Sequence, residues 1–479
     1  MDKYVMQVQY RISGHKDTSE TLTILDLPSE IVTDIFQYCT SGVGPIVLPA
    51  DTAKPPWTLL SVCSDWRDLA LEASELWSCM RIDLRSVQDM PKVLGLARTL
   101  IQRSGNRPLL ISNSANMNDP KMYEKTVQFV QDIVMPAARR LRSLSYEGWV
   151  EAIVPLLTSP PGSLPILEKF EMWGRRLTSQ DDLFKIQATA FQSAPHLRTV
   201  VLRAQYNPAD PTLLNLSWHQ LTTLRIVDLY VCASVLSTLL SQCVNLVNLT
   251  IDEAFPPGPG WNPAQYPIFL PTVTIFDGTL STREYGPGVL LSALCFPNLQ
   301  YLTLRIPQTT QFRHLEDGID AFARRSFANL KGLCIIGMSP TSNLTTYEHL
   351  LDHISLVVTE LQVPLVEYRS ISFSQTVLSR LIPRLEMAPS SLRFLVLQVL
   401  SCDLENGTLA EVEEFHARRG LESVRMLIEG SIGAAHQQKV DELNEKALGM
   451  TVEIVPPRNL PMSSCVPIEW MSIDLSALE

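Results

Sequence analysis

Between residues 141 and 426 one pattern of apolar and polar positions recurs: an apolar residue, two others, a second apolar residue, one other, and a third apolar residue. It reads Leu141/Leu144/Tyr146, Leu167/Phe170/Met172, Leu197/Val200/Leu202, Leu221/Leu224/Ile226 and Leu246/Leu249/Ile251. It continues as Leu270/Val273/Ile275, Leu299/Leu302/Leu304, Leu330/Leu333/Ile335, Val358/Leu361/Val363, Leu392/Leu395/Leu397 and Leu421/Val424/Met426. Successive phrases start 24 to 34 residues apart. The last two apolar positions keep the period of a strand buried on one face. A spacing near thirty leaves room for a return segment after each strand, so the phrases predict parallel strands. Such a unit cannot bury its apolar face alone and must stack on its neighbours.

That period is the one expected of leucine-rich repeats with irregular insertions. A proline stands in several lead-ins, at Pro165, Pro195, Pro271, Pro297 and Pro389, where it stops a preceding helix and fixes the path of the chain. Asn245, Asn298 and Asn329 immediately precede repeat leucines and read as turn residues. A helix over 434–448, stopped by Gly449, and a strand over 450–455 close the series, and Pro456-Pro457 end it. The stretch 255–269 holds five prolines and two glycines and reads as a loop, as do 282–288 and 307–318. Loops of this kind, and the polar tail 458–479, are places where function concentrates.

Upstream, a different period rules. Leu27-Pro28-Ser29-Glu30 is a helix start, with proline early and acid in the first turn. Ile31, Ile35 and Cys39 then recur every fourth position, flanked by Val32 and Phe36, giving a broad apolar stripe. A second helical run starts at Pro56-Trp57, with Leu59, Cys63, Trp66 and Ala70 on one face and Val62, Leu69 and Ala73 on another. Leu76-Trp77 closes this part, and the alternation over 80–84 reads as a strand. Small helices with so much apolar surface need a further element or a partner to cover it.

The residues Leu27-Pro28-Ser29-Glu30-Ile31, Ile35-Phe36, Leu59-Leu60-Ser61-Val62-Cys63-Ser64-Asp65-Trp66-Arg67-Asp68-Leu69-Ala70 and Leu76-Trp77 resemble an F-box, and more narrowly the F-box-like proteins expanded in fungi. The connection over 40–55 is longer than in a compact F-box. The wording of the repeats is similar to the same family, which extends the resemblance over most of the chain. It implies a small helical F-box-like domain followed by an α/β leucine-rich-repeat solenoid, α+β as a whole, with parallel strands on the concave face and helices on the convex face. It further implies a Skp-type adaptor as partner, a cullin–RING ubiquitin ligase beyond it, and capture of a protein substrate by the repeats. Leu27, Pro28, Ile31, Leu59, Val62, Cys63 and Trp66 are then expected to dock the adaptor.

In the repeat phrase, positions two, four and six after the first leucine are expected to face away from the core. That places Trp173, Arg203, Arg225, Tyr301 and Arg305 on the presumptive recognition face, where arginine beside aromatics suits an acidic or phosphorylated segment. The competing expectation is that these arginines pair with carboxylates such as Glu171 and Asp252.

Composition narrows the alternatives. The chain has 479 residues, is 46% apolar and carries a net charge of −11, which fits folded domains and argues against a nucleic-acid partner. No apolar run is long enough for a membrane span, and the first residues lack the apolar core of a signal peptide. Nine scattered cysteines without a CxxC pair then read as reduced thiols of a cytoplasmic or nuclear protein. His349 and His353 have zinc spacing, but the general-base glutamate is replaced by Leu350 and a third ligand is missing, so neither metal nor cofactor is expected. Gly258-Pro259-Gly260 and Gly286-Pro287-Gly288 are turns rather than phosphate cradles.

The sequence therefore divides into an extension over 1–25, an F-box-like domain over 26–80, connecting helices and a first strand over 81–135, a solenoid over 136–456 and a tail over 457–479. The expected function is a non-enzymatic substrate receptor of a ubiquitin ligase. The alternative is a leucine-rich-repeat scaffold with a degenerate F-box; a hydrolase has no supporting constellation.

Overall fold

A computed structural model of the chain describes residues 24, 27–41, 44–175, 188–205, 215–227, 233–252, 267–279, 287–305, 315–336, 360–365, 394–400, 413–414, 416–418, 423–429, 434–446 and 450–455. The chain forms two compact units. The first comprises Met1–Phe276 with Arg283–Tyr285 and Ala293–Phe296; the second takes Asp277–Thr282, Gly286–Ser292 and Pro297–Glu479. Both are α/β and built on parallel strands. The tail over 457–479, His349, His353 and Gly258-Pro259-Gly260 lie outside the described residues, as do nearly all of the extension 1–25 and most of the three predicted loops.

The first unit opens with helix α1 (Ser29–Ser41), whose Ile31 and Val32 amides donate to the Pro28 carbonyl. Strand β1 (Ile46–Leu48) follows, inside the connection that the sequence leaves between two helices. The second helical run is not continuous. A short 3-10 turn (Leu59–Ser61) breaks off, and α2 (Ser64–Glu72) starts afresh. Cys63 is extended at the break, and its Sγ accepts a hydrogen bond from the Trp66 amide. Ser64-Asp65 favours a new helix start there, because short polar side chains compete for backbone groups in a helix interior. A further 3-10 turn (Ser74–Trp77) buries Trp77 completely, with its Nε1 donating to the Ala70 carbonyl at 2.8 Å.

From there strand follows strand: β2 (Cys79–Asp83), β3 (Leu109–Ser114), β4 (Leu141–Trp149), β5 (Lys169–Arg175), β6 (Thr199–Gln205), β7 (Thr223–Val227) and β8 (Asn248–Asp252). Each pairs in parallel with the next, and β1 pairs with β2. A short ladder of β9 (Ile268–Phe269) and β11 (Leu294–Cys295) flanks β10 (Ile275–Thr279) in sequence. Helix α3 (Met90–Arg103) links β2 to β3, and a helix over Val150–Leu157 follows β4. The parallel succession thus starts at Ile46, well upstream of the first repeat phrase.

Register explains the core. Met80, Ile111, Leu144, Phe170, Val200, Leu224 and Leu249 stand side by side across seven strands. All are buried. From Leu144 on these are the middle apolar positions of the phrase, and each residue of the row contributes roughly 1.5–3 kcal/mol by leaving water. Phe170 also meets Phe191, ring centroids 4.8 Å apart.

Two departures from the phrase are instructive. In β10 Phe276 rather than Val273 takes the middle inward position, three residues on from the phrase: the Ile275 amide donates to the Val247 carbonyl as the Asn248 amide does to the Thr222 carbonyl, and Phe276 is buried edge-on against Phe296 at 5.2 Å. In β3 the polar Asn113 takes an inward position and is buried. Its Nδ2 donates to the Glu147 carbonyl and its Oδ1 accepts from the Glu147 amide. The β3–β4 register slips between Leu109 and Leu110, and the asparagine amide stands in for ladder bonds beyond Ser112.

The second unit repeats the logic with β12 (Tyr301–Arg305), β13 (Gly332–Ile336), β14 (Glu360–Leu365), β15 (Phe394–Leu400), β16 (Ser423–Glu429) and β17 (Met450–Val455). Leu302, Leu333, Leu361, Leu395, Val424 and Met450 are consecutive partners. A helix over Leu315–Ser326 buries Ile319, Phe322 and Ala323, and a helix over Ala434–Lys446 buries Val440. Asn444 fastens the latter to β17, donating to the Val452 carbonyl and accepting from its amide. In each unit the strands run in sequence order, which is compatible with a solenoid-like α/β fold.

Candidate recognition surfaces

The outward face of β2–β8 is a grid of three rows, since alternate side chains point away from the core. The first row runs Cys79, Leu110, Ser143, Lys169, Thr199, Thr223, Asn248. The second runs Arg81, Ser112, Ser145, Glu171, Val201, Arg225, Thr250, and the third, nearest the carboxyl ends of the strands, continues from Glu147 through Trp173, Arg203 and Val227 to Asp252. Asp83 and Ser114 pair at the β2–β3 end of this row.

Three sequence-predicted residues of the recognition face therefore gather on adjacent strands. Trp173 and Arg203 are direct register partners, and the Arg203 guanidinium lies over the indole, 4.1 Å from its centroid. Arg225 stands one strand on and one row back, beside Val201. The Nε1 of Trp173 and the Nε of Arg225 are buried and make no hydrogen bond. A buried N–H without an acceptor costs about 1–3 kcal/mol. Glu171 does not serve these arginines: its carboxylate is 2.8 Å from Lys169. Tyr301 and Arg305 belong to β12 of the second unit, and the Arg305 side chain lies outside the described residues. Val227 and Asp252, expected to face outward, are buried at 5% and 7% exposure.

The third row also holds Glu147, the sixth position after Leu141. Glu147, half-buried next to Trp173, has its carboxyl pushed up by burial. The Ala115 amide and the charges of Arg85, Arg81 and Arg203 act against that push. Asp83 ends on the opposite side of its usual range. Burial raises it, but hydrogen bonds from Arg85 and Ser114, with the Arg85 charge, outweigh burial and hold it down.

The helical part offers a surface of another kind. Leu27 (42% exposed), Ile31 (46%) and Val62 (57%) stand in solvent, and Pro28 is exposed with them. Val32, Phe36, Leu59 and Ala70 are buried. Leu59, expected on the docking surface, belongs instead to the core, because the 3-10 turn points it inward. Cys63 caps α2, and Trp66 is half-buried with its ring 4.9 Å from that of Phe36.

A role for the residue before the leucine also escaped sequence reasoning. Arg140, Gln220, Asn245 and Asn329 each precede a phrase by one position. Each donates to a carbonyl one repeat back: Arg107 for Arg140, Ala194 for Gln220, His219 for Asn245 and Pro297 for Asn329. The signal was present as a recurring long polar side chain at that position.

Among the described residues no three His, Cys, Asp or Glu side chains gather as a metal site, and no helix is long and apolar enough to cross a membrane. Burial pushes the Cys243 thiol up to about 12, which removes it as a nucleophile. No protein-family model and no curated protein matches the chain.

Proposed function

We propose that this chain is a non-enzymatic substrate receptor of a Skp–cullin–F-box type ubiquitin ligase, acting in the cytosol or nucleus. Its F-box-like start docks a Skp-type adaptor, and its strand repeats, read as leucine-rich repeats, take the protein substrate. The observation that carries this reading is the exposure of Leu27, Ile31 and Val62 beside the buried Val32, Phe36 and Leu59. Apolar groups that a chain sorts outward, next to the F-box-like wording of 27–77, are what a helical adaptor covers on binding. The docking surface then centres on Leu27, Pro28, Ile31 and Val62, with Trp66 at its margin.

One observation favours the scaffold alternative. Strand β1 lies within the long connection and pairs with β2, so the helical start is tied into the sheet as a terminal cap would be. Co-purification separates the two readings. The full-length protein is expected to bring down a Skp-type adaptor and a cullin, and Leu27→Ala with Pro28→Ala to lose both while remaining folded. Full-strength adaptor binding by that double variant overturns the docking assignment, and no adaptor bound to the wild-type protein leaves the scaffold.

A further inference from the structure

We infer that the partner of the helical start is a protein whose docking surface is apolar with a rim of lysine or arginine. It is drawn in by a band of carboxylates that α1 and α2 present around Leu27, Ile31 and Val62. The inference deepens the receptor reading and rests on it only for the identity of that partner as the adaptor.

Negative charge is concentrated here. Residues 27–78 hold seven carboxylates against two cations, Lys54 and Arg67, and so carry −5 of the chain's −11. Little of it is used within the chain. Asp51 pairs with Lys54 and Glu75 with Arg107, while the Arg67 Nε turns back to donate to the Leu60 carbonyl at 2.8 Å. Glu30, Asp34, Asp65, Asp68 and Glu72 remain. All five are exposed, and among the described residues none has a cation partner. Hydrogen bonds from the neighbouring Ser29 and Ser64 hydroxyls reach Glu30 and Asp65 and leave their charges in place.

These acids are set among apolar groups. On α1, Glu30, Ile31, Asp34 and Tyr38 are all exposed, and residues three and four apart share one face of a helix. Val32 and Phe36 point the other way and are buried. On α2, Asp65, Asp68 and Glu72 repeat that spacing, starting three residues beyond the exposed Val62, while Ala70 is buried. Phe36 and Trp66, ring centroids 4.9 Å apart, fasten the two helices together.

Helix stability accounts for only two of the five. Glu30 and Asp65 stand in first turns, where a carboxylate meets the positive end of the helix dipole. Asp34 lies four residues from Glu30, and Asp68 lies between Asp65 and Glu72, at spacings where like charges repel. Glu72 ends α2, whose last turn has no basic residue to offset it. A partner's cations opposite this band turn the repulsion into attraction, whereas an acidic rim adds to it. Exposed charges act chiefly on the encounter. The band therefore sets how fast the partner arrives, and the apolar residues set how long it stays.

The test uses the full-length chain and a purified Skp-type adaptor, with association and dissociation followed separately by biolayer interferometry. Between about 0.01 M and 0.15 M salt the association rate is expected to fall at least about tenfold, with dissociation changed less than about twofold. Asp34→Asn with Asp68→Asn and Glu72→Gln should slow association at low salt and remove most of the salt dependence. Dissociation should stay as in the wild type, which a misfolded variant cannot imitate. An association rate that ignores salt, or ignores the triple substitution, overturns the proposal.

In parallel, two amphipathic helical peptides of about five turns share one leucine stripe and carry either lysine or glutamate on the polar face. The lysine peptide is expected to bind at least about tenfold more tightly, and to lose that binding both with the triple substitution and with Ile31→Ser plus Val62→Ser. Equal binding of the two peptides, or lysine-peptide binding that survives Ile31→Ser with Val62→Ser, overturns the proposal. The two readings fail separately. No adaptor bound, with peptide discrimination intact, defeats the receptor reading alone; an adaptor bound without charge dependence defeats this one alone.

Discussion

The helical start and the strand series of the first unit are both rich in apolar residues, yet they dispose of them differently. Across β2–β8 the period of two sends Leu144, Phe170, Val200 and Leu224 inward and leaves chiefly polar or charged residues outside. In the start, Val32 and Phe36 go inward while Ile31 and Tyr38, on the same helix, stay in water. A strand in a stacked sheet has neighbours on both sides to complete its burial. A short helix broken at Cys63 has too few. The comparison teaches that the strand series buries its apolar row within its own chain, whereas the start leaves Ile31 and Tyr38 uncovered.

The comparison is broken most severely by removing a side chain from the shared row. Phe170→Ala is expected to destabilise the first unit by about 3–5 kcal/mol, through the cavity and the lost contact with Phe191. A shift in the urea midpoint measures it; a loss below about 1 kcal/mol would mean that the row is not the core. Next comes Asn113→Ala, which strands the amide and carbonyl of Glu147 and is expected to cost about 1–3 kcal/mol by the same measurement.

Charge on the outward face gives a smaller effect with a definite sign. Asp83 is held down, so its contribution is present above its unfolded pKa of about 3.9 and lost as pH falls through the folded value. Glu147 is pushed up, so its contribution is present below its unfolded pKa of about 4.3 and lost as pH rises through the folded value. Melting curves between acid and neutral pH should show Asp83→Asn less stable at neutrality, with a flattened acid limb. Glu147→Gln should be more stable at neutrality than the wild type, and the reverse order would show that Arg85 is not the group pairing with Asp83.

The smallest stability effect sharpens the comparison most. Ile31→Ser with Val62→Ser is expected to change stability by no more than about 0.5 kcal/mol per site, since both residues already stand in water. Adaptor capture should fall at least about tenfold in a pull-down. A large loss of stability instead would place these residues in the chain's own core.

Much of this was legible before any coordinates. The phrase located β4–β8 and β12–β16, and Met450–Val455 was readable as a closing strand, because a side-chain period of two is a direct record of one buried face, whereas β1 lay outside any phrase. It located Trp173, Arg203 and Arg225 on the outward face for the same reason. The helix beginning near Ser29 was readable from its proline, its acid and its fourfold spacing.

Tertiary structure decided the rest, in each case through a neighbour distant in sequence. Phe296 covers Phe276 of β10, and the Glu147 backbone gives the buried Asn113 its partners. Cys63 caps α2 because the chain breaks at that point, and Leu59 is buried just before it. The phrase put Glu147 on the outward face, as the sixth position after Leu141, but did not name its neighbours across the sheet. Its chemistry exists because parallel pairing sets Trp173 beside it and Arg203 one strand beyond, a relation set by register across some sixty residues of chain, to which a local period is blind.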